Sequence, residues 1–178
     1  RSIWVTGVQT CALPIYESTV VLPYIPIGEK DKCPVDSLNF PTLEANLKIL
    51  QNATTANGEK LKIIRIPMPE IEQLKFTLTV TEGQAKSLKN FGLEKGDTIF
   101  RIPAASYCNF FISNKVVLLP KYWKPGMTET QKQKDEEVKN IFTKLFPGRQ
   151  IIQIFALQVN RGGGGIHCMT HELPISKN

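Results

Sequence analysis

Cysteine, histidine and long apolar runs are all scarce in this sequence. The four cysteines, Cys11, Cys33, Cys108 and Cys168, form no CxxC pair and no zinc-finger spacing. That excludes the disulfide framework of a small secreted domain and fits a reducing cytoplasm. No apolar stretch in the chain approaches the roughly 18–20 residues that span a bilayer, so no membrane partner is expected. The net charge of +6 raises the question of nucleic acid. The lysines, however, are scattered from Lys30 to Lys177 with no dense cluster and no interleaved aromatics, which reads as a solvated basic surface. With 178 residues, 42% of them hydrophobic, the chain is long enough to bury one real core.

The first fifteen residues, RSIWVTGVQTCALPI, have neither helical nor strand periodicity and lack the n- and h-regions of a signal peptide. Val5 to Ile15, VTGVQTCALPI, is similar to the conceptual translation of a sequencing-adaptor oligonucleotide. The expectation is therefore a foreign segment over 1–15 and native sequence over 16–178, with Trp4 and Cys11 carrying no functional information.

From there the pattern alternates. Ser18 to Tyr24 is a β-branched apolar run that reads as a buried strand, followed by a Pro/Gly/charged loop from Pro26 to Asp36. Phe40 to Ala53 carries Leu43, Leu47 and Leu50 at helical spacing, with Pro41 set at the first turn. Asn57-Gly58 turns the chain into a strand at Leu61 to Ile66. Residues 70–105 are less periodic and predict a long loop with a short helix near Gly83 to Phe91. The order then repeats. Ser106 to Ile112 and Lys115 to Leu119 form a hairpin-like pair around Ser113-Asn114. A helix from Thr128 to Phe146 shows Val138, Ile141, Phe142 and Leu145 on one face, then come the Pro147-Gly148 turn and the strand Gln150 to Phe155. Repetition of one α/β unit fits a radial or solenoid architecture, and equally a doubly wound sheet.

The informative stretch is Arg161-Gly162-Gly163-Gly164-Gly165-Ile166-His167-Cys168. Four glycines in a row stabilise neither helix nor strand, and make sense where backbone must pass close to another group. They do not match the phosphate patterns GxxxxGK[ST] or GxGxxG. Cys168 follows at once, in what reads as a strand; a strand cysteine is usually a small buried hydrophobe, yet a bare backbone beside a thiol suits a reactive site. His167 and His171, the two histidines of the chain, flank it. Zinc held by His167, Cys168 and His171 is set aside, because neighbouring strand residues face opposite ways and no fourth ligand is evident. The same geometry makes either histidine a poor base for Cys168. No metal and no cofactor is expected.

GGGGIHCMTHELP resembles the terminal motif of the agmatine deiminase and bacterial peptidyl-arginine deiminase family. IPAASYCNFFISN (102–114) resembles its Ala-Ala-Ser-Tyr-X-Asn-Phe segment, and LEANLKILQNATTANGEKLKIIRIPMP (43–69) is also similar. The resemblance covers residues 16–178, the C-terminal part of a chain about twice as long. It departs at His171-Glu172, where family members carry glutamines, and so leaves agmatine or another guanidine open as substrate. It implies a five-bladed α/β propeller of ββαβ units, of which this chain supplies about two blades plus the nucleophile strand. It also implies a cytoplasmic hydrolase. Cys168 as nucleophile converts a small guanidine, agmatine foremost, to N-carbamoylputrescine and ammonia through a cysteine-linked intermediate, a step towards putrescine. Backbone groups of Gly164, Gly165 and Ile166 are expected to touch substrate. Ser106, Tyr107 and Asn109 match a family motif and are expected to serve packing. The family's proton-transferring histidine and its carboxylates lie upstream, so the chain alone is expected to be inactive. The alternatives are a peptidyl-arginine deiminase, an amidinotransferase-like relative, and a non-catalytic repeat module with a buried Cys168.

Overall fold

The computed structural model describes residues 13–16 and 18–171. The chain folds as a mixed α/β protein, with three separate sheets among the described residues. The first holds β1 (Leu13–Tyr16), β2 (Thr19–Tyr24) and β3 (Lys62–Pro67), in that spatial order. β2 is antiparallel to β1 and parallel to β3, and helix α1 (Pro34–Asn52) makes the crossover. After a small two-stranded element the arrangement recurs. β6 (Phe111–Ile112) pairs antiparallel with β7 (Val116–Lys121), α4 (Glu129–Leu145) crosses over, and β8 (Gln150–Phe155) pairs parallel with β7. The repeat read from the sequence is thus two ββαβ units.

Their equivalence extends to single hydrogen bonds. Lys62 N–H donates to the Ser18 carbonyl at 2.7 Å, and Gln150 N–H to the Lys115 carbonyl at 2.9 Å. At the far ends, Met68 N–H reaches the Tyr24 carbonyl at 2.9 Å and Ala156 N–H the Lys121 carbonyl at 3.3 Å. Both central strands contain a proline, Pro23 and Pro120, which a central strand ordinarily excludes. Since Tyr24 and Lys121 turn their carbonyls to the parallel partner, the preceding prolines turn their missing N–H to the antiparallel side. There the last described pairs are already behind, Leu13↔Val21 and Phe111↔Leu118. No ladder bond among the described residues is lost.

The two units share one core. α4 packs against both β3 and β8. Val138 and Phe142 of α4, Ile66 of β3, and Val117 and Leu119 of β7 are all buried in it. Phe110 stacks edge-on against Phe142 with centroids 4.7 Å apart. Burial of side chains this size stabilises by about 1.5–3 kcal/mol each. On β8, Ile151 and Phe155 pack into the core, whereas Ile152 and Ile154 remain 39% and 38% exposed.

Three expectations need correction. Helix α1 starts at Pro34, not near Phe40; Cys33 caps it, its sulfur accepting from Asp36 N–H at 3.4 Å, and Pro41 lies inside the helix. Residues 70–105 hold the expected short helix near Gly83 to Phe91, but they are not otherwise a long loop. They hold α2 (Ile71–Leu74), β4 (Phe76–Thr79), α3 (Glu82–Leu88) and β5 (Thr98–Arg101), with β4 antiparallel to β5 around a satellite core of Val80, Leu93 and Ile99. The expected boundary at Ile15 lies within β1, whose Leu13 and Pro14 pair with Val21 and Val20. Residues 1–12 and 172–178 lie outside the described residues. Lastly, Cys168 stands on no strand but on a helical turn, α6 (Ile166–Met169), which follows α5 (Leu157–Arg161) and the glycine loop. Among the described residues, no helix is long and apolar enough to cross a membrane.

Candidate active site

Two irregular segments meet at Cys168. The first, 102–110, runs through the interior as loop backbone, and every residue in it is buried. Buried loop backbone must find its hydrogen bonds locally. Ala105 N–H donates to the Pro103 carbonyl at 2.8 Å, and Asn109 N–H to the Ser106 carbonyl at 3.2 Å. Ser106 N–H donates to the Tyr122 hydroxyl at 2.8 Å, which in turn donates to the Ser106 carbonyl at 3.1 Å. Cys108 N–H donates to Ser106 Oγ at 3.1 Å. Ser106 and Tyr107 are therefore built into the scaffold, as the packing reading holds. Burial pushes the Tyr107 and Tyr122 hydroxyls well above their ordinary values, with the Asp135 carboxylate adding to it.

The second segment is the glycine loop. Asn160, at the end of α5, is 1% exposed; its amide donates to the Ala104 carbonyl at 3.1 Å and the Gly164 carbonyl at 2.8 Å, tying the two segments together. The Arg161 guanidinium lies 4.9 Å from the ring centroid of Phe76 on β4. Gly163 has φ +94°, open to glycine and strained for other residues. At Gly165 the requirement is space: a Cβ there would sit 2.3–2.7 Å from the Asn109 amide. Two of the four glycines thus have a stated physical need. Gly164 passes close to Cys168, where a Cβ would come 3.2 Å from Cys168 Cβ.

Asn109 joins the segments at the thiol. Its Oδ1 accepts from His167 N–H at 2.7 Å and its Nδ2 donates to Cys168 Sγ at 3.3 Å. What His167 brings to the site is its backbone N–H. The packing reading missed this role of Asn109, although the Ser-Tyr-Cys-Asn-Phe motif was the signal that could have found it. Cys168 is exposed, while Cys33 and Cys108 are buried, and none of the three is in a disulfide among the described residues. Burial and the nearby Asp36 carboxylate push the Cys33 thiol up to about 11, with an Asp36 N–H opposing the rise. Of the other expected residues, Gly164 is half-buried, and Gly165 and Ile166 are buried. Among the described residues, no three His, Cys, Asp or Glu side chains come together as metal ligands would. The arrangement therefore offers a solvent-facing thiol on a rigidly braced turn.

Residues 8–174 match the Porphyromonas-type peptidyl-arginine deiminase family, a match that begins inside the segment expected to be foreign. A protein of Marinomonas sp. named "Putative agmatine deiminase" is 34% identical over 134 residues, which is 74% of this chain and 31% of that one. A protein of Selenomonas ruminantium with the same name is 32% identical over 143 residues, covering 78% and 34%. The solved structure of the agmatine deiminase of Enterococcus faecalis superposes with a TM-score of 0.58 at 23% identity, covering 90% of this chain and 37% of that one, a likeness of fold. The chain spans about a third of the length of these relatives. With its match running almost end to end, this chain belongs to the Porphyromonas-type peptidyl-arginine deiminase family.

Proposed function

We propose that this chain is the nucleophile-bearing part of a deiminase that hydrolyses a small guanidine, agmatine foremost, to its ureido product and ammonia. The observation that carries the reading is the exposed thiol of Cys168, set on the braced turn after the glycine loop in a member of this family. The Cys168 thiolate attacks the guanidinium carbon, a proton reaches the leaving nitrogen, and the C–N bond breaks to release ammonia. A cysteine-linked amidinium thioether is left. Water then adds to that carbon, the C–S bond breaks, and the ureido product departs with the thiolate restored. Backbone groups of Gly164, Gly165 and Ile166 flank the approach of the substrate. Proton transfer requires a histidine or carboxylate, and a guanidinium is held best by carboxylates in bidentate geometry. In this reading those partners come from sequence outside these 178 residues.

The same reading places the two ββαβ units in a propeller with further units. In the first unit, Ile64 and Ile66 of β3 are half-buried and buried in the core that includes α4 of the second unit. Ile152 and Ile154 hold the equivalent places on β8 and are exposed. The helix of a further unit fits there.

The test is ammonia release from agmatine, free arginine and a peptidyl-arginine, by the chain and by a longer product of its gene. The longer product should turn over one of the three, agmatine fastest, and Cys168→Ala should abolish it. Agmatine turnover that survives Cys168→Ala would sink the assignment, as would no ammonia from any substrate.

A further inference from the structure

We propose that Asn109 is a positioning residue for the nucleophile: its side-chain amide donates to Cys168 Sγ and holds the sulfur as a thiolate aimed out of the loop. The inference rests on the reading of Cys168 as nucleophile and adds a role that the scaffold alone does not require.

The orientation of the amide is dictated by its neighbours. A backbone N–H is satisfied only by an acceptor, so the group facing His167 N–H at 2.7 Å must be the oxygen. A flipped amide would set one N–H against another. The NH2 group is therefore the end that meets Cys168 Sγ at 3.3 Å. Nor can the side chain readily swing away. Asn109 is 3% exposed, its own N–H is held by the Ser106 carbonyl at 3.2 Å, and Gly165 lies so close that a methyl there has no room. A hydrogen bond from a neutral donor strengthens when the acceptor becomes an anion. A fixed N–H aimed at sulfur thus favours the thiolate over the thiol, which is the form that attacks carbon. It does so before any cationic substrate arrives.

A purely structural role would be narrower: Asn109 would only pin the start of α6 through His167 N–H. Two substitutions separate the roles. Asn109→Asp keeps an oxygen for His167 N–H but replaces the donor facing sulfur with a second acceptor. Asn109→Leu removes the donor without adding charge. The experiment is the rate of Cys168 carbamidomethylation by iodoacetamide from pH 6 to 10, located by peptide mass mapping, with melting curves taken alongside. Both variants should raise the pH midpoint, by about 1–2 units for Asn109→Asp, and slow the reaction at pH 7 about ten-fold or more. A wild-type midpoint in either folded variant overturns the proposal: in Asn109→Asp it means the anchor alone matters, and in Asn109→Leu it means the shift came from added charge. Where one variant fails to melt cooperatively, the other decides. Iodoacetamide is uncharged and the assay needs no guanidine turnover. A moved midpoint with no ammonia release from the longer product would sink only the deiminase reading; Cys168-dependent release with an unmoved midpoint would sink only this one.

Discussion

The Tyr107 hydroxyl donates to Asp135 Oδ1 at 2.5 Å, and both side chains are buried. The same carboxylate accepts from Tyr122 N–H at 3.1 Å, Trp123 N–H at 2.8 Å and Gln131 Nε2 at 3.0 Å. One group on α4 thus closes the end of β7 and braces the loop that carries Asn109. Asp135→Ala leaves several buried donors unmatched at once, at a cost of about 3 kcal/mol or more. The expected fall in melting temperature is about 6–12 °C for a chain of this size. Asp135→Asn keeps one acceptor and should lose less. A melting temperature within about 2 °C of wild type for the alanine variant would contradict the role.

High pH should unfold the protein in a defined window. Burial, the largest cause in each case, raises the folded-state values of Cys33, Tyr107 and Tyr122 above their ordinary 9.0 and 10.0. A raised value means that the protonated form is favoured by folding. The stabilisation is fully present below the ordinary value and is lost as pH rises through the folded one. For Cys33 that loss begins above pH 9.0 and is complete past about 11, and the tyrosines extend it upward. Thermal melts should therefore show no pH-dependent change from these groups between pH 7 and 9, then a steady decline. A melting temperature unchanged up to pH 11 would refute the burial argument.

Thiol chemistry should single out Cys168. A haloacetamidine, a guanidinium-like electrophile, should alkylate it first, because Cys33 and Cys108 are only 4% and 1% exposed. Peptide mapping reads each cysteine separately, Cys11 included. Labelling of Cys33 or Cys108 at the rate of Cys168 would contradict the site.

The exposed pair on β8 should govern self-association. Replacing Ile152 and Ile154 with threonine keeps strand propensity while removing apolar surface. The variant chain should sediment as a smaller species than wild type at the same concentration. In a longer gene product the same change should destabilise, since the face is covered there in the proposed propeller. Identical sedimentation of variant and wild-type chains would show that the face drives no association.

The parts of the fold legible in the sequence were those whose pattern is local. Gln150 to Phe155 was delimited as the strand observed, because its β-branched run is bounded by Gly148 and by the buried Ala156. Helix α1 was misplaced at its start because Pro41 read as the first turn, a place that Pro34 holds, and cysteine is an unusual cap. The hairpin of β4 and β5 was missed because half its residues are exposed and its alternation is short. At the site, the residue types in the loop pointed to Cys168. The helical turn that carries it is held by Asn109, far away in sequence, so local propensity read it as a strand. Asn109 itself looked like packing for the same reason: its partners become visible only when the two segments meet.

Pro120 also acts as a register stop. Past the Phe111↔Leu118 pair, β7 offers its antiparallel neighbour a ring where a donor would be needed. If β6 slid two residues along β7, one of its carbonyls would face that ring with nothing to accept from. A slip in that direction is therefore penalised, which favours the observed point where the chain leaves the Asn109 loop and enters the sheet. A single missing hydrogen thereby helps to place a strand end relative to a thiol on another part of the chain. Pro23 stands at the matching place in the first unit, opposite Ile66 as Pro120 is opposite Ile154.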